Sequence, residues 1–344
     1  MPRNGRQMNK KLIVIFFVVI LIIVSFFQCT HIQAVVDEDG NVTLLENILD
    51  TANDDEEDEN YFAEIPEPEP QIPQPPTRAE TVTRALMISY PDIIEDVSFI
   101  NDDWAVLMRG SWYYYADGRM LPEAEIANIE NYRSVSFYDY PKELPPWVRP
   151  SPEEAARYST WATTGGAASS RRSHFFLDAL WQAGNQVETE SRMVWFNFLG
   201  RSIRVHQRLR ERLLLIESEI REAAILDQVV QTFINTLGSI ESYGWRNIAI
   251  TDSRSYHSYG LALDILPRSY GGRQTYWLWT SQSGIQWWNV PYTQRYHPPE
   301  TITKIFESYG FIWGGKWLQY DTMHYEYRPE ILILNNFTVI GLND

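Results

Sequence analysis

A chain of 344 residues that is 44% hydrophobic carries enough apolar material for one large core or two modest ones, which excludes a fully disordered or fibrous protein. Its formal charge of −16 is unevenly spread, and its one cysteine excludes an internal disulfide, a Cys-rich zinc finger and an iron–sulfur cluster. Any metal must be held by histidines and carboxylates.

Residues 1–34 carry Arg3, Arg6, Lys10 and Lys11 and no acid, and an apolar run at 12–27 follows, broken by Ser25. That pattern predicts a signal peptide or signal anchor, with its basic end in the cytoplasm and everything downstream carried across the membrane. Ile32-Gln33-Ala34 is a weak cleavage site. Cys29 is a point for lipid attachment, although the bulky Phe26-Phe27-Gln28 before it argues against that use. Every version is extracytoplasmic: a membrane-anchored body, or a secreted or periplasmic one. Residues 35–79 hold fourteen acids between Asp37 and Glu69 and a Pro-rich stretch at 65–76, the composition of a disordered linker. Setting those charges aside leaves about −6 for the remainder, too little positive charge for nucleic acid to be the partner.

Residues 80–242 read as a β-hairpin plus helices of unknown role. Residues 104–108 and 112–115 are β-rich around Arg109-Gly110-Ser111, and 116–119 form a turn. Residues 151–199 are helical in pieces, with a Gly/Ala/Ser-rich break at 163–170. Over 202–237, Leu209, Leu213, Ile216, Ile220, Ala223, Val230 and Phe233 recur at helical spacing, predicting one long helix or two nearly collinear ones. After Gly244 come short runs with strand character at 247–251, 260–266, 276–279, 311–313 and 323–327. Strands that follow helices, instead of alternating with them, predict an α+β fold whose last part, 243–344, is a small antiparallel-sheet unit.

Two of those runs carry chemistry. In Ser255-Tyr256-His257-Ser258-Tyr259-Gly260-Leu261-Ala262-Leu263-Asp264-Ile265, alternation puts Leu261, Leu263 and Ile265 on one face and Ala262 and Asp264 on the other. A turn through Gly260 swings His257 back toward Asp264, and Ser255 is suited to orient that turn by hydrogen bonding. In Asp321-Thr322-Met323-His324-Tyr325-Glu326-Tyr327, His324 and Glu326 share a face and Asp321 stands at the strand entrance. Two imidazoles and a carboxylate fill three positions around Zn2+ and leave a fourth for water, and a second carboxylate then has a proton-transfer task. His174, His206 and His297 lack such company and read as structural. Tyr276, Trp277, Trp279, Trp287, Trp288 and Trp313 suit either packing or a substrate groove.

Ser255-x-His257-x-x-Gly260-x-Ala262-x-Asp264, Gly310-Phe311-x-Trp313-Gly314-Gly315-x-Trp317 and Asp321-x-x-His324-x-Glu326 together resemble the D-alanyl-D-alanine carboxypeptidase family of zinc peptidases. That family includes vancomycin-resistance-type carboxypeptidases and L-alanyl-D-glutamate endopeptidases. The resemblance spans about 243–330. It implies zinc ligation by His257, Asp264 and His324, Asp321 as general base, and peptidoglycan stem peptides as substrate. Glu326 then either orients a ligand or serves as an alternative base. Tyr325 replaces a common Phe. The family's upstream arginine and following glutamine are missing, so Arg254, and after it Arg246, are the candidates to stabilise the oxyanion. The other readings are a catalytically silent wall-binding module and a peptidase for another extracytoplasmic peptide. The membrane is a partner if the N-terminal segment stays uncleaved.

Overall fold

The computed structural model describes residues 32–36, 42–46, 75–134, 137–164 and 171–342. The apolar run expected as a signal or anchor, Cys29 and most of the expected linker lie outside the described residues. Within that stretch, β1 (Ile32–Val36) and β2 (Val42–Glu46) pair antiparallel. No helix among the described residues is long and apolar enough to cross a membrane.

Residues 73–344 form one compact unit. It opens with α1 (Arg78–Ser89), whose first turn is capped by the Thr77 hydroxyl accepting the Glu80 amide. Strands β3 (Ile94–Ile100), β4 (Asp103–Met108), β5 (Ser111–Tyr114) and β6 (Leu121–Pro122) follow as an antiparallel meander, so the predicted hairpin is the centre of a larger sheet. Then β7 (Tyr132–Arg133) pairs in parallel with β8 (Arg171–Arg172), and α2 (Pro152–Thr164) lies between them in sequence. Helices α3 (Phe175–Trp181) and α4 (Gln186–Glu190) lead to the hairpin of β9 (Met193–Phe198) and β10 (Arg201–His206).

That hairpin corrects the expectation that helix begins at 202. Ile203 and Val205 are buried while Ser202 is exposed, a period of two in β-branched residues that favours strand over helix. Helix begins at α5 (Arg210–Leu226) and stops at Asp227, whose carboxylate accepts the Val229 amide at 2.7 Å and caps α6 (Gln228–Asn235). Two helices, not one, are therefore present.

The last third contains β11 (Leu237–Glu241), β12 (Ala262–Pro267), α7 (Trp277–Gln282), α8 (Glu300–Ser308), β13 (Phe311–Trp313), β14 (His324–Tyr327) and α9 (Pro329–Leu334). Two expected strands are absent. Residues 247–251 are a loop joined by a single bridge between Asn247 and Arg254. Residues 276–279 start α7, because Trp277 and Leu278 bury against Trp287, Tyr158 and Tyr320, and that packing overrides aromatic β propensity.

One hydrophobic core draws Val82 and Leu86 of α1, Val106 and Met108 of β4, and Trp181 of α3 together with Leu263 and Ile265 of β12 and Tyr325 of β14. Residues on both sides of position 243 thus share it. The fold is α+β, with helices and small antiparallel sheets around a common interior.

Candidate metal centre

The sheet of the last third runs β11-β12-β14-β13, all antiparallel, and its two central strands carry the site. The register pairs Ala262 with Glu326, Leu263 with Tyr325 and Asp264 with His324. Because alternate residues face opposite sides, Leu263 and Tyr325 enter the core while Asp264, His324 and Glu326 share the other face.

His257 reaches that face from a one-turn 3-10 helix, Tyr256–Tyr259. The Ser255 hydroxyl caps this turn by accepting the His257 amide at 3.3 Å. Gly260 ends it with φ +67°, and a Cβ there would sit 2.5 Å from the Met193 sulfur and 2.6 Å from the His206 backbone nitrogen. Only glycine satisfies both the left-handed backbone and the close approach of β9 and β10.

Three electron-pair donors meet at one point. His324 Nδ1 lies 2.8 Å from Asp264 Oδ1, His257 Nε2 lies 3.3 Å from Asp264 Oδ2, and the two ring nitrogens are 3.3 Å apart. All three residues are buried. His257 Nδ1 lies 2.6 Å from the Ser242 carbonyl, which can only accept, so Nδ1 carries the hydrogen and Nε2 presents its lone pair. His324 Nε2 lies 3.2 Å from Glu326 Oε2, which likewise holds the hydrogen on Nε2 and leaves Nδ1 to the shared point. Two lone pairs and a carboxylate this close repel unless a cation or a proton lies among them. A tetrahedral zinc site places its ligand atoms roughly 3.4 Å apart, and a His/His/Asp donor set suits that ion.

Without an ion, a proton shared among these atoms takes the cation's place, and the imidazole edges then donate to Asp264. Burial works against a charged His324, but the hydrogen bonds to Asp264 and Glu326 outweigh it and hold its pKa well above the ordinary value. Burial would raise Asp264, and hydrogen bonds from His257 and His324 hold it well below the usual range instead. Glu326 is likewise lowered against burial, by His324 and then Arg328. Arg328 lies 3.5 Å from Glu326 and pairs with Glu330, which accepts from the Tyr90 hydroxyl at 2.8 Å. Glu326 therefore sits behind His324 and orients its ring.

Asp321 stands in front. Its Oδ1 is buried without a hydrogen-bond partner among the described residues. Burial, opposed by His324 and reinforced by Asp264, pushes its pKa up to about 7. Two glycines hold this segment: a Cβ on Gly314 would lie 2.6 Å from the Asp321 carbonyl oxygen, and one on Gly315 would lie 2.1 Å from the Trp313 ring. The Asp321 amide donates to the Gly314 carbonyl at 3.0 Å.

The site opens into a cavity of about 660 Å³ lined by His257, Asp264, Asp321, His324 and Glu326. The structure brings Arg246 to it and not Arg254. Arg246 is half-exposed, its Nη2 3.9 Å from Asp264 Oδ2. Arg254 instead pairs with Asp178 at 2.5 Å, donates to the Ala183 carbonyl at 2.8 Å, and is stacked between Trp245 and Tyr259. Its preferred partner lies 76 residues upstream, a contact that local spacing does not reveal. Among the aromatic residues, Trp287 is packing, Trp277 is buried in the same cluster but also lines the cavity, and Tyr276 and the half-exposed Trp279 line it as well. His174, His206 and His297 are engaged by Asp178, the Trp181 carbonyl and the Tyr292 carbonyl, away from the centre. The sequence reading missed Tyr138, Trp161 and Arg172, which line the same cavity from far outside the motifs and carry no local signal of that role.

Residues 249–327 match the family model described as D-alanyl-D-alanine carboxypeptidase, and residues 82–137 match one described as a domain of unknown function. The first match contains all three convergent ligands and Asp321, and it leaves Arg246 and Ser242 just outside. No curated protein and no solved structure gives a match.

Proposed function

We propose that the protein is a zinc-dependent peptidase that hydrolyses peptidoglycan stem peptides in the manner of the D-alanyl-D-alanine carboxypeptidases. The observation that carries this reading is a carboxyl group, Asp321, with one oxygen buried and unpartnered beside three convergent donors, inside the stretch that matches that family. His257, Asp264 and His324 would hold the ion. Zinc there supplies Lewis-acid polarisation of a carbonyl and acidifies water.

The chain's own residues supply the rest. Asp321, raised to about 7, is balanced near neutrality between holding and releasing a proton, as a general base that later protonates the leaving amine must be. Arg246 presents a guanidinium to the cavity, where it can stabilise negative charge on the scissile carbonyl oxygen. The Ser242 carbonyl and Glu326 fix the two imidazole tautomers, so the ligand atoms need no rearrangement. Within this reading, residues 1–34 export the protein or anchor it, and residues 35–79 space the catalytic body from the membrane.

Incubating the full-length protein with purified muropeptides, with and without chelator, and weighing the products tests it. Chelator-sensitive release of D-alanine marks carboxypeptidase action, and fragments cut inside the stem mark an endopeptidase. No chelator-sensitive product from any stem peptide refutes the reading.

A further inference from the structure

The wall of the cavity holds an arginine, backed by a second on the neighbouring strand, that the chemistry above does not use. Arg172 of β8 lines the cavity, and the parallel register of β7 and β8 sets Arg133 directly against it. Like charges facing each other on neighbouring strands repel, a cost that persists unless an anion joins them. Among the described residues neither forms an ion pair with a carboxylate. Arg133 Nη2 donates to the Ser253 hydroxyl at 2.6 Å, which fixes that guanidinium in place. Arg172 Nε is buried with no hydrogen-bond partner. Burial, and after it the charge of Arg172, depress the pKa of Arg133. Arg172 is close enough to Glu326 to lower its pKa, yet that carboxylate is already committed to His324 and Arg328.

Arg172 lines the cavity while its buried Nε has no acceptor within the fold, so this guanidinium is not saturated by the protein. The fork of N–H groups on arginine matches a carboxylate in particular. Arg246 serves a different place, since it lies against Asp264 at the metal centre.

We propose that Arg172, backed by Arg133, is an anion subsite that binds a carboxylate of the substrate away from the bond being cleaved. The proposal rests on the peptidase reading above and gives the segment between β7 and β8 a task in substrate selection. Stem peptides carry internal carboxylates along the chain, so the subsite reads the peptide at a second point and fixes its direction across the cavity.

The test compares two probes on the full-length zinc-loaded protein: a stem pentapeptide with free internal carboxylates, and the same peptide with every internal carboxyl amidated and its C-terminus untouched. Wild type is expected to lose about 10- to 100-fold in kcat/KM on amidation, mostly in KM, the worth of a hydrogen bond to a charged group. Arg172→Gln should lose that factor on the free peptide and treat the two peptides alike, with Arg172→Lys between. A wild type indifferent to amidation, or an Arg172→Gln protein that keeps the preference, overturns the proposal. Should Arg172→Gln fail to fold, the wild-type comparison and Arg172→Lys still decide it. Calorimetric binding of both peptides separates this proposal from the peptidase reading. Arg172-dependent preference in binding without cleavage keeps the subsite and ends the peptidase. Cleavage without preference does the reverse. Absence of both ends both.

Discussion

Asp321 gives the sharpest quantitative test. Its carboxyl is raised from an ordinary value of 3.8 to about 7 in the folded chain, chiefly by burial. A carboxyl raised on folding binds its proton more tightly in the native state than in the unfolded one, so the stability this group contributes is fully present below about pH 4 and is lost as pH climbs through 7. About two of the three pH units separating those values fall between pH 5 and pH 8, which at 1.36 kcal/mol each sets a ceiling of about 2.7 kcal/mol for the change across that interval. The substitution Asp321→Asn would remove the titration while keeping the shape. Urea denaturation of chelator-treated protein at pH 5 and pH 8 should therefore show wild type losing about 2 kcal/mol more than Asp321→Asn across that interval. The same substitution should abolish hydrolysis by the zinc-loaded enzyme. Equal pH dependence of wild type and Asp321→Asn would refute the burial argument, and full activity of the variant would refute the base assignment.

Three further outcomes follow from the geometry. Gly260→Ala should destabilise by about 3 kcal/mol, from a left-handed backbone and a Cβ pressed on the His206 amide, and should weaken zinc binding by displacing His257; urea melts and zinc titration measure both. Glu326→Gln should weaken zinc about 10- to 100-fold against a competing chelator, because the carboxamide still accepts from His324 but carries no charge. The two arginines should separate cleanly. Arg254→Ala should destabilise by about 2 kcal/mol, by leaving Asp178 to His174 and the Tyr259 hydroxyl alone and by emptying the space between Trp245 and Tyr259, with kcat per folded molecule retained, whereas Arg246→Ala should lower kcat and leave the melting point in place.

The convergence of Asp264 and His324 was legible in the sequence because they stand on two strands whose alternation assigns each residue a face without knowledge of the partner strand, with His257 in the turn that precedes the first. Ala262 and Asp264 beside Leu263, and His324 and Glu326 beside Tyr325, are period-two patterns, and the pairing of Asp264 with His324 realises what they imply. The glycines near the site were equally readable as fixed points, though only the structure shows what Gly314 and Gly315 would strike. What the sequence withheld depends on distant partners. Residues 202–206 lie beside a helical pattern and become strand because Met193–Phe198 pairs with them. Arg254 looked better placed than Arg246 until Asp178 claimed it. Part of the cavity lining comes from β8 and α2, and nothing in their local composition announces that they share a cavity with the motif strands.

The pairing of β12 with β14 has a consequence for how the protein matures. Slipping either strand by one position would turn the His324 ring and the Asp264 carboxylate to opposite sides of the sheet, and the ion would find at most two ligands. A metal ion held by these three residues would bind tightly only to the correct alignment and so would proofread the sheet, favouring chains whose strands have met in step.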